Sequence, residues 1–159
     1  MTIRFDNRVA IVTGGANGIG NSIVRAFHTQ GARVHFCDVD TDAGRAEAFS
    51  RKHGAPAYTS VDAMMRDLGS AVGAFIVATP SGSHAPVCLD LVRHGRPIVV
   101  EKPIALETAD AEKMVAAANK AGKQLMIGHV LPFFSEYDYV HKLITGGKFG
   151  RLLGGYFKR

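Results

Sequence analysis

Val9-Ala10-Ile11-Val12-Thr13-Gly14-Gly15-Ala16-Asn17-Gly18-Ile19-Gly20 is the stretch that decides how this chain folds. Its opening apolar run reads as a buried parallel strand. Glycines spaced Gly-x-x-x-Gly-x-Gly follow, and after them Ile19, Ile23, Val24 and Phe27 form one helical stripe that Gly31 stops. A helix N-terminus presents unpaired N–H groups and a partial positive charge. A pyrophosphate can use both, provided no side chain blocks its approach to the backbone. Gly14 then serves the tight turn off the strand, Gly18 the close approach of the ligand, and Gly20 the packing of helix on strand. Asn17 and Ile19 share the loop and count with it as ligand contacts.

Outward from this unit the pattern repeats. Arg33 to Cys37 predicts a second strand, and Thr41 to about His53 a helix weakened by Gly44. Pro56 to Thr59 predicts a short third strand, and Ser60 a cap for a helix over Asp62 to Leu68. Ala74 to Ala78 is the fourth strand, followed by a helix with Pro86 in its first turn and Gly95 at its end. Ile98 to Val100 is the fifth. Thr108 caps the next helix, Gln124 to Ile127 is the sixth strand, and a helix over Glu136 to Ile144 ends at Gly146-Gly147. Arg151 to Phe157 reads as one more strand with no partner following it. Strands alternating with helices predict a doubly wound parallel α/β sheet of Rossmann type. The whole of residues 1–159 is expected as one domain, with 1–55 and 56–150 as its halves.

Asp38 stands 18 residues after Gly20, at the end of the second strand. A carboxylate there accepts from the ribose hydroxyls of an adenosine and repels a 2′-phosphate, which favours NAD over NADP. The bland alternative is a cap on the next turn. The glycine loop ahead of it favours the ligand role.

Val-Ala-Ile-Val-Thr-Gly-Gly-Ala-Asn-Gly-Ile-Gly closely resembles the short-chain dehydrogenase/reductase family over roughly the first third of the chain. The resemblance implies a loop wrapped around the cofactor pyrophosphate. It does not extend to that family's Tyr-x-x-x-Lys pair: four residues after Tyr58, Tyr137 and Tyr139 stand Asp62, His141 and Leu143.

From about Tyr58 onward the chain resembles the glucose–fructose oxidoreductase and inositol dehydrogenase family. The residues that carry this are Val77-Ala78-Thr79-Pro80-Ser81-Gly82-Ser83-His84, Glu101-Lys102-Pro103, Leu125-Met126-Ile127-Gly128-His129 and Gly150-Arg151-Leu152-Leu153-Gly154-Gly155. The resemblance implies that Thr79 and Pro80 border the cofactor and that Glu101 accepts from ribose hydroxyls. It also implies that Lys102 offers its cation near the nicotinamide and a substrate hydroxyl, as a catalytic residue. It implies, too, a Pro103 that is often cis, contacts from His129, and a second domain that begins near Gly150. His84 either approaches the cofactor or caps the helix at Ala85. The two resemblances meet around Ser50 to Ser60, as in a recombinant or a chimera.

Composition narrows the remaining readings. The chain has 159 residues, a net charge of +5 and a pI near 9.4. Its basic residues are scattered and do not interleave with aromatics, which argues against nucleic acid. No apolar run approaches a membrane span, and a cytoplasmic location is expected. Cys37 and Cys88 read as reduced, buried thiols. His28, His35, His53, His94 and His141 have no metal-ligand spacing. The apolar last strand predicts a homo-oligomer. Three functions compete: an NAD-binding domain with little turnover, a complete oxidoreductase of sugars or polyols acting as an oligomer, and a folded scaffold that binds no cofactor well.

Overall fold

The computed structural model describes residues 4–15, 18–37, 47–48, 50–51, 56–58 and 60–156. They fall into two compact units, Met1–Gly128 and His129–Arg159, where the sequence suggests one domain over residues 1–159.

Among its described residues the first unit holds six strands. They are β1 (Val9–Thr13), β2 (Arg33–Cys37), β3 (Ala57–Tyr58), β4 (Val72–Val77), β5 (Ile98–Val100) and β6 (Leu125–Ile127). Its helices are α1 (Gly18–Thr29), α2 (Val61–Leu68), α3 (His84–Val92) and α4 (Thr108–Lys120). The strand order is β3-β2-β1-β4-β5-β6 and every pair is parallel. This is the expected doubly wound Rossmann sheet, reversing direction between β1 and β4.

Strand periodicity explains how both faces are covered. Successive side chains point to opposite faces. Ile11, Phe75, Val77, Ile98 and Val100 meet Met64 of α2, Ala85, Cys88 and Leu91 of α3, and Met114 of α4 on one side. Val12, Val34, Phe36 and Ile76 meet Val24 of α1 on the other. A parallel sheet covered on both faces needs apolar residues at consecutive positions, which β1 supplies from Val9 to Val12, with Thr13 buried after them. Burial pushes the Cys88 thiol up to about 12, so it is a packing residue and not a nucleophile.

Local signals set most helix ends. Ser60 accepts a hydrogen bond from the Ala63 amide and caps α2, as its sequence predicts. Gly31, Gly95 and Gly122, each at positive φ, follow α1, α3 and α4. Three expectations are corrected. Thr108 is the first residue of α4 and not its cap; Glu107 precedes it in extended backbone, with no side-chain cap bond. Ile19 leaves the apolar stripe and stands 56% exposed, because it lies at the very start of α1, beyond the sheet end that buries Val24. The strand expected over Arg151 to Phe157 is not formed in the described residues up to Tyr156. A strand needs a ladder partner, and the described residues of the second unit contain no other strand. The helix expected over Thr41 to His53 lies largely outside the described residues.

The second unit comprises a short 3-10 turn (Leu131–Phe133) and α5 (Ser135–Thr145), ending at Gly146 and Gly147 as the sequence predicts. Beyond it Leu153 and Tyr156 are 87% and 89% exposed. No helix among the described residues is long and apolar enough to cross a membrane.

Two outcomes follow from this packing. At Gly14, with φ +72°, an added Cβ would stand 2.5 Å from the Ala78 carbonyl oxygen and 2.9 Å from the Thr79 nitrogen. At Gly122, with φ +62°, it would meet open space. Gly122→Ala should therefore cost about 1–2 kcal/mol for the left-handed backbone alone. Gly14→Ala should cost roughly 3 kcal/mol or more, because backbone must also move. Urea unfolding of both variants checks this, and equal midpoints would refute the close contact.

His35 of β2 is buried, its Nδ1 has no hydrogen-bond partner among the described residues, and its ring centroid lies 6.0 Å from that of Tyr58. Burial, and secondarily the Arg33 charge, hold its pKa below the ordinary value of 6.5. The unfolded chain then takes up the proton more readily than the folded one. Stability is kept above that ordinary value and lost as the pH falls below it. His35→Val should lose less stability than the parent between about pH 7 and pH 5. Parallel slopes in denaturant titrations across that range would exclude His35 as the source.

Candidate active site at the strand ends

Register brings the candidate residues to one rim. Thr13 of β1 pairs with Val77 of β4, and Val77 with Val100 of β5. The residues that follow are Gly14, Ala78 and Glu101. The ladder runs on into them: the Ala78 amide donates to the Thr13 carbonyl at 3.0 Å and the Glu101 amide to the Val77 carbonyl at 2.9 Å. The Gly128 amide donates to the Val100 carbonyl at 2.8 Å and closes the row. In a doubly wound sheet ligands bind outside the carboxyl ends of the strands, where the order reverses. Here that point is between Gly14 and Ala78.

The turn between β1 and α1 is built from absent side chains. Gly14 lies against the backbone of Ala78 and Thr79. A Cβ on Gly15 would stand 2.6 Å from Cβ of Phe36, and one on Gly20 would collide with the Gly14 carbonyl oxygen. Gly18 differs, because a Cβ there meets nothing within 4 Å among the described residues. Three glycines thus pack the turn onto the sheet, and Gly18, at φ +51°, is clear of every other described residue at the start of α1. The first turn of α1 carries no acidic residue to oppose an anion. Exposed Ile19 flanks this opening. Asn17 and Asp38 lie outside the described residues.

Across the rim, Thr79 is buried and Pro80 exposed. The Ser83 hydroxyl donates to the Pro80 carbonyl at 2.7 Å and lies 2.8 Å from Thr79 Oγ1. Glu101 is half-buried, and its carboxylate lies over Gly128, where a Cβ would come within 3.4 Å of Oε2. The same Oε2 accepts from the Lys102 amide at 3.2 Å. The Lys102–Pro103 bond is cis. Lys102 is exposed, and its ammonium has no ion-pair partner among the described residues. That leaves a cation at the rim, free to meet an incoming hydroxyl or phosphate.

His84 departs from both of its expected roles. It is 1% exposed, with Nδ1 2.7 Å from the Pro103 carbonyl oxygen and Nε2 2.9 Å from the Thr79 carbonyl oxygen. Both polar atoms of the ring are engaged inside the protein, so it offers none to a cofactor, and Ser83 precedes the helix without a side-chain cap bond. Three features had little signal in the sequence. They are the packing of Gly15 on Phe36, the room Gly128 leaves for Glu101, and the inward turn of His84. Each depends on contacts between distant segments. His129 belongs to the second unit and is exposed. Among the described residues no group of three or more His, Cys, Asp or Glu side chains could hold a metal ion.

Comparison with known proteins agrees with this geometry. The GFO/IDH/MocA oxidoreductase family, with its NAD-binding Rossmann fold, matches residues 7–129. Inositol 2-dehydrogenase of Corynebacterium glutamicum (strain R) is 32% identical over 149 residues, which are 92% of this chain and 43% of that protein. The 2,7-anhydro-N-acetylneuraminate hydratase of Escherichia coli K12 is 30% identical over 145 residues, 91% of this chain and 38% of that one. The WlbA dehydrogenase of Bordetella pertussis, solved in complex with NADH and UDP-GlcNAcA, superposes with a TM-score of 0.79 at 28% identity, over 94% of this chain and 42% of its own. The chain therefore spans about two fifths of the length of these relatives. The family match begins at residue 7 and takes in both the glycine loop and residues 50–60, where the sequence suggests a junction between two families. The short-chain resemblance of the first third is not shown by it.

Proposed function

Starting from a chain that belongs to the GFO/IDH/MocA oxidoreductase family and carries its NAD-binding Rossmann domain, we propose how that domain divides the cofactor among its residues. Gly14, Gly18 and Gly20, with Asn17 and Ile19, hold the pyrophosphate at the N-terminus of α1. Asp38 takes the adenosine ribose. Thr79, Pro80, Glu101 and Lys102 border the nicotinamide half. The observation that carries this reading is the level register of β1, β4 and β5, which sets Gly14, Ala78 and Glu101 on one rim.

Bound NAD supplies the hydride acceptor. The protein's own part is to orient and to handle a proton. Glu101 holds the Lys102 amide. The exposed Lys102 side chain is suited to bind a substrate hydroxyl and, as the neutral amine, to accept the proton that the hydroxyl loses when hydride leaves its carbon. A relative that is an inositol dehydrogenase and a neighbour bound to a nucleotide sugar support a sugar or polyol as the substrate class. A mixed origin of residues 1–55 draws support from the Gly-x-x-x-Gly-x-Gly spacing, whereas the single family span argues for one lineage.

Fluorescence titration tests the cofactor assignment. The parent should bind NADH more tightly than NADPH, and Asp38→Ser should narrow the difference, since a serine neither rewards the free 2′-hydroxyl as strongly nor repels a 2′-phosphate. Gly18→Asn, a residue that tolerates positive φ, should weaken NADH about tenfold or more by filling the open space at α1. Tighter NADPH binding by the parent, or unchanged NADH affinity in Gly18→Asn, would sink the assignment.

Turnover by this chain should be slow. Orientation of a substrate supplies up to roughly 7–11 kcal/mol of such barriers. The sequence does not match the Tyr-x-x-x-Lys pair of the short-chain family, and the described rim offers one exposed cation, Lys102. NADH formation with a panel of polyols and sugars is the measurement. Robust turnover that disappears in Lys102→Ala would overturn the claim of a binding domain with little activity alone.

A further inference from the structure

We propose that His84 is a positioning residue that ties the turn after β4 to the Glu101-Lys102-Pro103 turn and so aligns the two segments that border the nicotinamide half of the cofactor. The imidazole is 1% exposed, and its nitrogens lie 2.7 Å from the Pro103 carbonyl oxygen and 2.9 Å from the Thr79 carbonyl oxygen. These two carbonyls belong to residues 24 positions apart in sequence, on turns that leave neighbouring strands. Carbonyls only accept, and a histidine ring offers a donor at either nitrogen according to its state. The ring sits in the gap between the turns; with one N–H it donates to one carbonyl, and with both nitrogens protonated it donates to both.

The consequence for Lys102 is specific. Its backbone is held from the Glu101 side, where Oε2 accepts its amide proton at 3.2 Å. It is held from the other side by His84 acting on the Pro103 carbonyl. The Lys102 side chain itself is exposed, so its placement rests on those two backbone restraints. The same ring holds the Thr79 carbonyl, while the Thr79 hydroxyl lies 2.8 Å from Ser83 Oγ one residue before His84. One buried side chain thereby couples both borders of the site. The ring is planar, and His84 is the first residue of α3, buried like Ala85 next to it in sequence.

This inference rests on the cofactor reading for its ligand arm, and a second arm needs no ligand. His84→Phe keeps the ring volume and removes both nitrogens. His84→Gln keeps an amide that can still donate to one carbonyl. In the first arm the full chain is titrated with NADH and with ADP-ribose, which lacks the nicotinamide. His84→Phe should weaken NADH about tenfold while ADP-ribose changes less than about twofold, and His84→Gln should recover part of the NADH affinity. Equal losses for both ligands, or no loss for either, would overturn the positioning role. In the second arm hydrogen exchange is followed without ligand. His84→Phe should speed exchange in peptides covering residues 79–84 and 101–106, and leave peptides of β1 and β4 unchanged. Unchanged exchange at both turns overturns the tie whatever the ligands do. A parent that binds neither ligand defeats the cofactor reading instead, and the exchange arm then decides His84 alone.

Discussion

The backbone-to-backbone contact between Gly14 and the Ala78–Thr79 peptide is the constraint on which the site depends. With no side chain at 14, the turn leaving β1 can lie directly on the turn leaving β4. Gly20 then packs on the Gly14 carbonyl, which draws the first turn of α1 down onto the same spot. A Cβ at either position would lift the helix end away from the crevice between β1 and β4.

The rest of the first unit keeps that contact in place. The sheet is covered on one face by α1 and on the other by α2, α3 and α4, and consecutive residues of β1 feed opposite cores. Close packing makes such cores intolerant of small shifts. A displacement of β4 relative to β1 would have to move Phe75, Ile76 and Val77 through both cores at once. The rim inherits this rigidity. Its exposed part is the Lys102 side chain, without an ion-pair partner among the described residues, on a turn whose backbone is bonded on both sides.

Burial also sorts the reactive groups. Cys88 is sealed under the sheet with its thiol pushed up to about 12, which removes it from nucleophilic chemistry. His84 is equally buried but has carbonyl partners at both nitrogens, so its polarity is used in holding structure together. His35 is buried with Nδ1 unpartnered among the described residues. Three titratable groups thus have different surroundings, decided by neighbours that come from other strands and turns.

What the sequence by itself determined was local. Alternation of short apolar runs with helical stripes, punctuated by Gly31, Ser60, Gly95 and Gly122, was enough to place strands and helices close to where they form. The glycine loop was legible because its chemistry lies within one strand–turn–helix unit. The tertiary structure decided everything that needed a distant partner. It set the order β3-β2-β1-β4-β5-β6, and with it the level of Gly14, Ala78 and Glu101. It turned His84 inward, left Ile19 exposed, and left Arg151 to Tyr156 without strand structure. A periodic pattern reports which residues prefer burial, whereas a strand or a clasp exists only when another segment supplies the opposing hydrogen-bond partners.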